Sequence, residues 1–255
     1  MKESFSKENQ SPTFFRESLV ESELSPETLK KIKGHSELVI RHEALDGLKW
    51  RFKTDNAHEA VQKGVALFDE LRDRYNVMVV PMRIVYGADE TGQEMAYIIT
   101  DKITGKSLNK IRGFDSSEKN SGKKELSDLY SSLVEYIKDV YEEGGLYLRD
   151  IFRNVQYVYG NTSKDKEKKL YLADVDLDAG KYNASIRGDE HNSEFYYCLE
   201  SLAEMIVIQE NSMSRAELVR FLDARSNFFD FLNSVTPADP YFSRVEKIKA
   251  ILNSN

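Results

Sequence analysis

Between Leu126 and Ala173 the hydrophobic spacing changes once, and that change limits the folds open to the chain. Leu129, Leu133, Tyr136, Ile137 and Val140 recur every three or four residues, so Leu126 to Tyr141 reads as one amphipathic helix. Gly144-Gly145 follows, the residue type that most easily adopts the left-handed backbone that ends helices. The apolar stretches beyond it are short. Val155 to Tyr159 and Leu170 to Ala173 suit two strands, with the charged insert Asn161 to Lys169 as a solvated hairpin tip. A long buried helix thus feeds a loop, and the loop feeds a small hairpin.

The residues before this region follow another rhythm. Leu38 to Leu45 and Leu48 to Thr54 are strand-like, and Asp46-Gly47 between them is a strong hairpin turn. Leu48, Trp50 and Phe52 alternate with Lys49, Arg51 and Lys53. Asn56 to Tyr75 returns to helical spacing through Ala60, Val61, Val65, Phe68 and Leu71. Val77 to Tyr86 and Met95 to Thr100 are two further strands around a Gly87-to-Gly92 turn. Four strands and one helix predict an antiparallel sheet covered by that helix. After Leu108 the chain becomes helical: Gly113 to Lys123 is a polar loop, Phe195 to Ile208 a buried helix, and the remainder is helical except around Thr236-Pro237.

The expected class is therefore α+β. The divisions are a flexible lead-in over 1–24, a sheet-plus-helix unit over 25–102 and a mostly helical unit over 103–255. Ser25-Pro26-Glu27 marks the start of a short helix to about Lys33, with a hydroxyl cap, a first-turn proline and an acid at the positive end.

Charge narrows the function classes. With 36 basic and 43 acidic side chains the net charge is −7, which disfavours non-specific binding to a phosphate backbone. No apolar run approaches the ~20 residues that span a bilayer, and Met1 to Gln10 lacks the apolar centre of a signal peptide. The single Cys198 lies among apolar residues as a core side chain would and fits a reducing compartment. A cytoplasmic protein without nucleic-acid or membrane partners is the expectation. The four histidines show no metal spacing, and neither a Walker loop nor a G-x-S-x-G elbow is present.

The chemistry-bearing stretch is Gly145-Leu146-Tyr147-Leu148-Arg149-Asp150-Ile151-Phe152-Arg153-Asn154-Val155. It resembles the catalytic loop H-R-D-x-x-x-x-N of the protein-kinase-like superfamily, and Leu172-Ala173-Asp174-Val175-Asp176 resembles that superfamily's D-F-G metal site. Taken alone, either motif reads as well as a surface pair or as a turn cluster of aspartates at 174, 176 and 178. Their order and their helix–loop–hairpin setting favour the resemblance, which spans roughly Gly34 to Ile251.

The resemblance implies a two-lobed fold that binds ATP and magnesium and moves the γ-phosphate to a hydroxyl of a protein or small-molecule acceptor. Asp150 then stands for the base that accepts the hydroxyl proton, and Asn154 and Asp174 for the magnesium ligands. Such transfer needs neutralised phosphates and an oriented nucleophile more than covalent help. Lys53 stands where the third-strand lysine would hold the nucleotide phosphates, although Lys49 and Arg51 share its face. Glu70 is the expected partner of Lys53, with Glu59 and Asp69 as rivals. Thr100 to Lys102 correspond to the hinge that binds adenine, and Gly34 is the only residue placed like a glycine of the phosphate-covering loop. Asp239-Pro240-Tyr241-Phe242-Ser243-Arg244 is weakly similar to a D-P-x-x-R near the end of the family's chain.

Four departures weigh against activity. Asn154 follows Asp150 by four positions instead of five. Leu148 replaces the loop histidine, the glycine-rich loop is nearly absent with Glu37 in its place, and Asp176 replaces the D-F-G glycine. An active phosphotransferase and a pseudokinase acting as a nucleotide-binding or scaffolding module therefore both follow from the resemblance. A helical interaction protein with a small sheet is a third reading, unrelated to it.

Overall fold

The computed structural model describes residues 34, 36–111, 119–186, 188–190, 192–211 and 215–254. The lead-in over 1–24, the short helix expected from Pro26 and most of the polar loop from Gly113 lie outside them. Strand β1, Leu38–Ala44, is followed by two helices, α1 (Leu45–Phe52) and α2 (Ala57–Asp73), and then by β2 (Met82–Ala88) and β3 (Glu94–Asp101). The three strands form one antiparallel sheet in the order β1-β3-β2, with Ile40 opposite Ile99 and Ile84 opposite Ile98.

The expected strand from Leu48 to Thr54 is corrected here: it is the helix α1. Leu45, Leu48 and Phe52 are three and four residues apart, so a helix puts all three on one buried face. Trp50 then faces outward and is 84% exposed. Asp46 is in the first turn, where the helix dipole favours an acid, and pairs with Lys49 at 2.6 Å. Asp46-Gly47 is helical instead of a hairpin turn, and Lys53 closes α1 with φ at 51°.

Pro81 divides the other misjudged strand, because it has no N–H to give a ladder. Before it, the Val80 N–H donates to Leu172 and the Leu172 N–H to Met78, at 3.0 and 2.8 Å; after it, β2 begins. The sheet presents Ile84, Ala96 and Ile98 to the core shared with α1 and α2. Its other face carries a smaller cluster of Val85, Met95, Tyr97 and Ile99.

The second half opens with β4 (Thr104–Ser107) and the long helix α3, Lys119–Glu143. Leu126, Leu129, Tyr130, Leu133, Tyr136, Ile137 and Val140 of α3 are all buried, and the helix ends where Gly144 turns left-handed at φ +73°. Four short strands follow: β5 (Gly145–Leu148), β6 (Tyr157–Asn161), β7 (Lys169–Leu172) and β8 (Ala179–Tyr182). The chain finishes in α4 (Asn192–Asn211), α5 (Arg215–Ser234) and α6 (Phe242–Leu252); α3 packs on α5 and α4 on α6. One apolar core runs from α1 and α2 through α3 and α4 to α6. The class is α+β, with small antiparallel sheets and a helical second half. No described helix is long and apolar enough to cross a membrane.

Candidate functional site

Two ladders bring the candidate residues together. β6 pairs with β7, Tyr157 opposite Leu172, and β5 pairs with β8, Leu148 opposite Ala179. The loop 149–156 runs from β5 to β6, and the segment 173–178 runs from β7 to β8. Antiparallel pairing at both ends forces the two connections to lie side by side. The contact is made by backbone: the Ala173 and Asp174 N–H groups donate to the Gln156 carbonyl at 2.8 and 3.3 Å, and the Arg149 N–H donates to the Asp178 carbonyl at 3.1 Å.

The segment is extended, and this decides where its charges go. Side chains alternate along extended backbone, so Val175 and Leu177 go fully into the core while Asp174, Asp176 and Asp178 stay on the partly exposed side. The aspartates are thus a row and not the turn cluster that is their simplest sequence reading. Leu177 seats against helix α2 at Gly64, where a Cβ would stand 2.8 Å from its Cδ2.

Strand β1 faces this row. Arg41 forms an ion pair with Asp174. Two residues on, and so on the same face, Glu43 accepts the Leu177 N–H at 2.8 Å and pairs with Arg51 of α1 at 2.7 Å. Arg51 also donates to the Leu177 carbonyl and lies 3.8 Å from Asp178. Arg149 forms a two-nitrogen pair with Asp178 and reaches Glu194 at 3.0 Å. Asp150, at the start of a 3₁₀ turn, has Arg153 at 3.4 Å.

Electrostatics mark the same place. Burial, and then the negative charges of Asp150, Asp178, Glu43 and Asp174, push the Asp176 carboxyl up to about 6. Burial by itself would lower the Arg149 guanidinium, but Asp178 and Glu194 more than offset it and hold it above its ordinary value. Cys198, which contacts the Arg149 carbonyl, has its thiol pushed up to about 12, chiefly by burial.

The connections that carry Asp150 and Asp174 lie side by side, then, and both carboxylates act on Asp176, but several expected residues do not bond to either acid. Lys53 lies at the end of α1 and lines a cavity of about 710 Å³ with Trp50, Arg51, Arg149, Lys181 and Glu194. Among the described residues it pairs with no acid, and the cation beside Asp174 is Arg41. Glu70 pairs with Arg74 at 3.4 Å, and its rivals Glu59 and Asp69 pair with Lys63 and Arg72 at 2.7 and 2.8 Å. The structure therefore gives Lys53 none of its three expected partners. Asn154 is buried, and its Oδ1 accepts from the Tyr130 hydroxyl at 2.9 Å. Thr100 lies within the sheet, between Val39 and Met82, and the Lys102 N–H donates to the Glu37 carbonyl at 2.8 Å. Gly34 is an exposed turn residue ahead of β1.

Arg41 and Glu43 were not legible as site residues, and Arg51 only as a rival of Lys53 on the same face. The available signal was the spacing of Leu45, Leu48 and Phe52: read as a helix, it leaves β1 as the strand that carries a cation to the site.

Among the described residues no group of three or more His, Cys, Asp or Glu side chains is arranged to hold a metal ion. The donor chemistry still suits magnesium. Carboxylates such as Asp174 are the hard oxygen donors that magnesium takes when nucleotide and water supply the rest. The crowding of acids that raises Asp176 is a field that a divalent cation would relieve. No family model matches this sequence, and no curated protein matches it.

Proposed function

We propose that the chain is a kinase-like, ATP-dependent phosphotransferase with a two-lobed fold and a cleft between the β1-β3-β2 sheet and the helical half. One observation carries the reading. A cation on β1, Arg41, pairs with Asp174 at the point where the Asp150 loop and the aspartate row meet. These residues lie far apart in the chain, and their types match what phosphoryl transfer requires.

In this reading Arg41 takes the part that the sequence resemblance assigned to Lys53. It leaves the Asp174 carboxylate to hold phosphate oxygens when nucleotide enters. Asp174 is the side chain that would hold magnesium, which when bound would neutralise charge on the phosphates. Asp150 accepts the proton of the acceptor hydroxyl as its oxygen bonds to the γ-phosphorus and the bond to the bridging oxygen of ADP breaks. Asn154 is bound to Tyr130 and contributes from behind the loop by fixing its shape. The acceptor is a hydroxyl of a protein or a small molecule.

A second reading has its own support. The Asp174 carboxylate is already neutralised by Arg41 and the Asn154 oxygen is already bonded, as in a pseudokinase that scaffolds without transfer. Thermal denaturation with ATP, with and without magnesium, separates the two. Nucleotide at a hundred times its dissociation constant stabilises by ~2.7 kcal/mol, and the magnesium-dependent part is lost in Asp174→Asn. Asp150→Asn keeps the shift and abolishes slow ATP turnover. Absence of any shift at millimolar nucleotide selects the scaffold; turnover that survives Asp150→Asn removes Asp150 as the base.

A further inference from the structure

Leu177 is held in an unusual way for a residue in extended backbone. It belongs to no ladder, and both its peptide groups are bound by charged side chains: the N–H by Glu43 and the carbonyl by Arg51. Glu43 itself uses both carboxylate oxygens, Oε1 on the Leu177 N–H at 2.8 Å and Oε2 on Arg51 at 2.7 Å. One side chain of β1 therefore joins three elements: its own strand, helix α1 and the aspartate segment. The partners are 134 residues apart in the chain. The side chain of Leu177 is fully buried against Gly64, which fixes the segment at its third point.

The geometry matters for Asp174 because the strand grips the segment twice. Arg41 takes the Asp174 carboxylate, and Glu43, on the same face of β1, takes the backbone three residues later. The Gln156 and Arg149 backbone bonds fix the two ends of the segment, and Glu43 holds its middle against the strand. An apolar residue at 43 could neither accept the Leu177 N–H nor pair with Arg51.

We propose that Glu43 is a positioning residue that fixes the Asp174 carboxylate for magnesium nucleotide, with Arg51 as its orienting partner. This rests on the reading of the preceding section. Glu43 touches neither nucleotide nor metal and acts through the Leu177 backbone.

The test measures the magnesium concentration that gives half of the ATP-dependent thermal shift, for wild type, Glu43→Ala and Glu43→Gln. Removing a residue that orients a metal ligand costs ~10–100-fold in metal affinity, so Glu43→Ala moves the half-point upward by that factor. Glu43→Gln retains an oxygen for the Leu177 N–H and loses the charge pair with Arg51. It folds at least as readily and moves the half-point by a smaller factor. Hydrogen exchange at the Leu177 amide, measured without nucleotide, rises in Glu43→Ala. Faster exchange with an unmoved magnesium half-point overturns the proposal and leaves Glu43 a structural contact. Unchanged exchange in Glu43→Ala also overturns it. If the wild type itself shows no magnesium-dependent shift, the phosphotransferase reading fails and takes the positioning role with it, and the exchange result still shows whether Glu43 holds the segment.

Discussion

The loop carrying Asp150 and the segment carrying Asp174 lie side by side between the same two ladders, yet they are secured by different forces. Loop 149–156 is held largely from the core by neutral tyrosines. Tyr157 donates to the Ile151 carbonyl at 2.8 Å, Tyr136 accepts the Leu148 N–H just before the loop at 3.0 Å, and Tyr130 donates to Asn154. All three hydroxyls sit on buried side chains. Segment 173–178 is anchored by Leu177, but its polar contacts are ionic and partly exposed, through Arg41, Glu43, Arg51 and Arg149. Buried neutral bonds do not respond to salt or pH in the accessible range, whereas half-exposed charges do. One side of the site rests mainly on bonds that solution conditions leave unchanged, with Arg149 as its ionic link to Asp178 and Glu194, and the other is adjustable. On the proposed reading, a catalytic base gains from the first property, and a metal ligand that must exchange Arg41 for a cation gains from the second.

The contrast can be broken in four ways. The largest effect is expected from Leu177→Ala, which removes the apolar anchor of the adjustable side. Loss of a fully buried leucine costs ~2–5 kcal/mol, read as a lower denaturation midpoint, and a loss below ~1 kcal/mol would mean the segment is held by its charges alone. Tyr130→Phe tests the other side. It strands the buried Asn154 oxygen and costs ~1–3 kcal/mol, equally at low and high salt. A cost that shrinks with salt would erase the distinction drawn here.

Asp176→Asn probes the adjustable side through pH. The folded carboxyl titrates at about 6 against an ordinary 3.8, so between those values the folded state keeps a proton that the unfolded chain releases. Stability contributed by the protonated form is present below the unfolded value and is lost as pH rises through the folded one. Asp176→Asn therefore stabilises at pH 7, by about 1 kcal/mol once solvent screening of a half-exposed group is allowed for, and has no effect below pH ~4. Denaturation of both proteins across pH 3.5 to 7.5 reads this directly, and parallel curves would remove the field assigned to the aspartate row. The smallest effect is that of salt on the wild type. At 1 M the Debye length falls to ~3 Å, and hydrogen exchange at Leu177 accelerates more than at Leu148, whose N–H is bound by a buried tyrosine.

Legibility followed the density of punctuation. From Tyr136 to Ala173 each change of structure has its own residue signal: apolar spacing for α3, Gly144-Gly145 for its end, and a charged insert between two short apolar runs. The helix, the hairpin and the positions of Asp150 and Asp174 could all be read. Between Leu45 and Thr54 the signals conflict. Leu48, Trp50 and Phe52 fit a two-residue period, Leu45, Leu48 and Phe52 fit a helix, and Asp-Gly serves equally as a turn or a first helical turn. Taking the strand placed Lys53 at the site and hid Arg41. Both cations sit among apolar residues in the sequence, so nothing local ranks one above the other.

The sequence by itself determined the class of each punctuated segment, the burial of the long helix and the presence of two acids on neighbouring connections, because those depend on spacing and turn residues within a few positions. Tertiary structure alone decided which cation meets Asp174, that Glu43 and Arg51 grip Leu177, and that Asn154 turns to Tyr130. The first two depend on which strand lies across the aspartate row, and that follows from packing between parts of the chain more than a hundred residues apart; the third joins the long helix to the loop across 24 residues, beyond the reach of local periodicity as well.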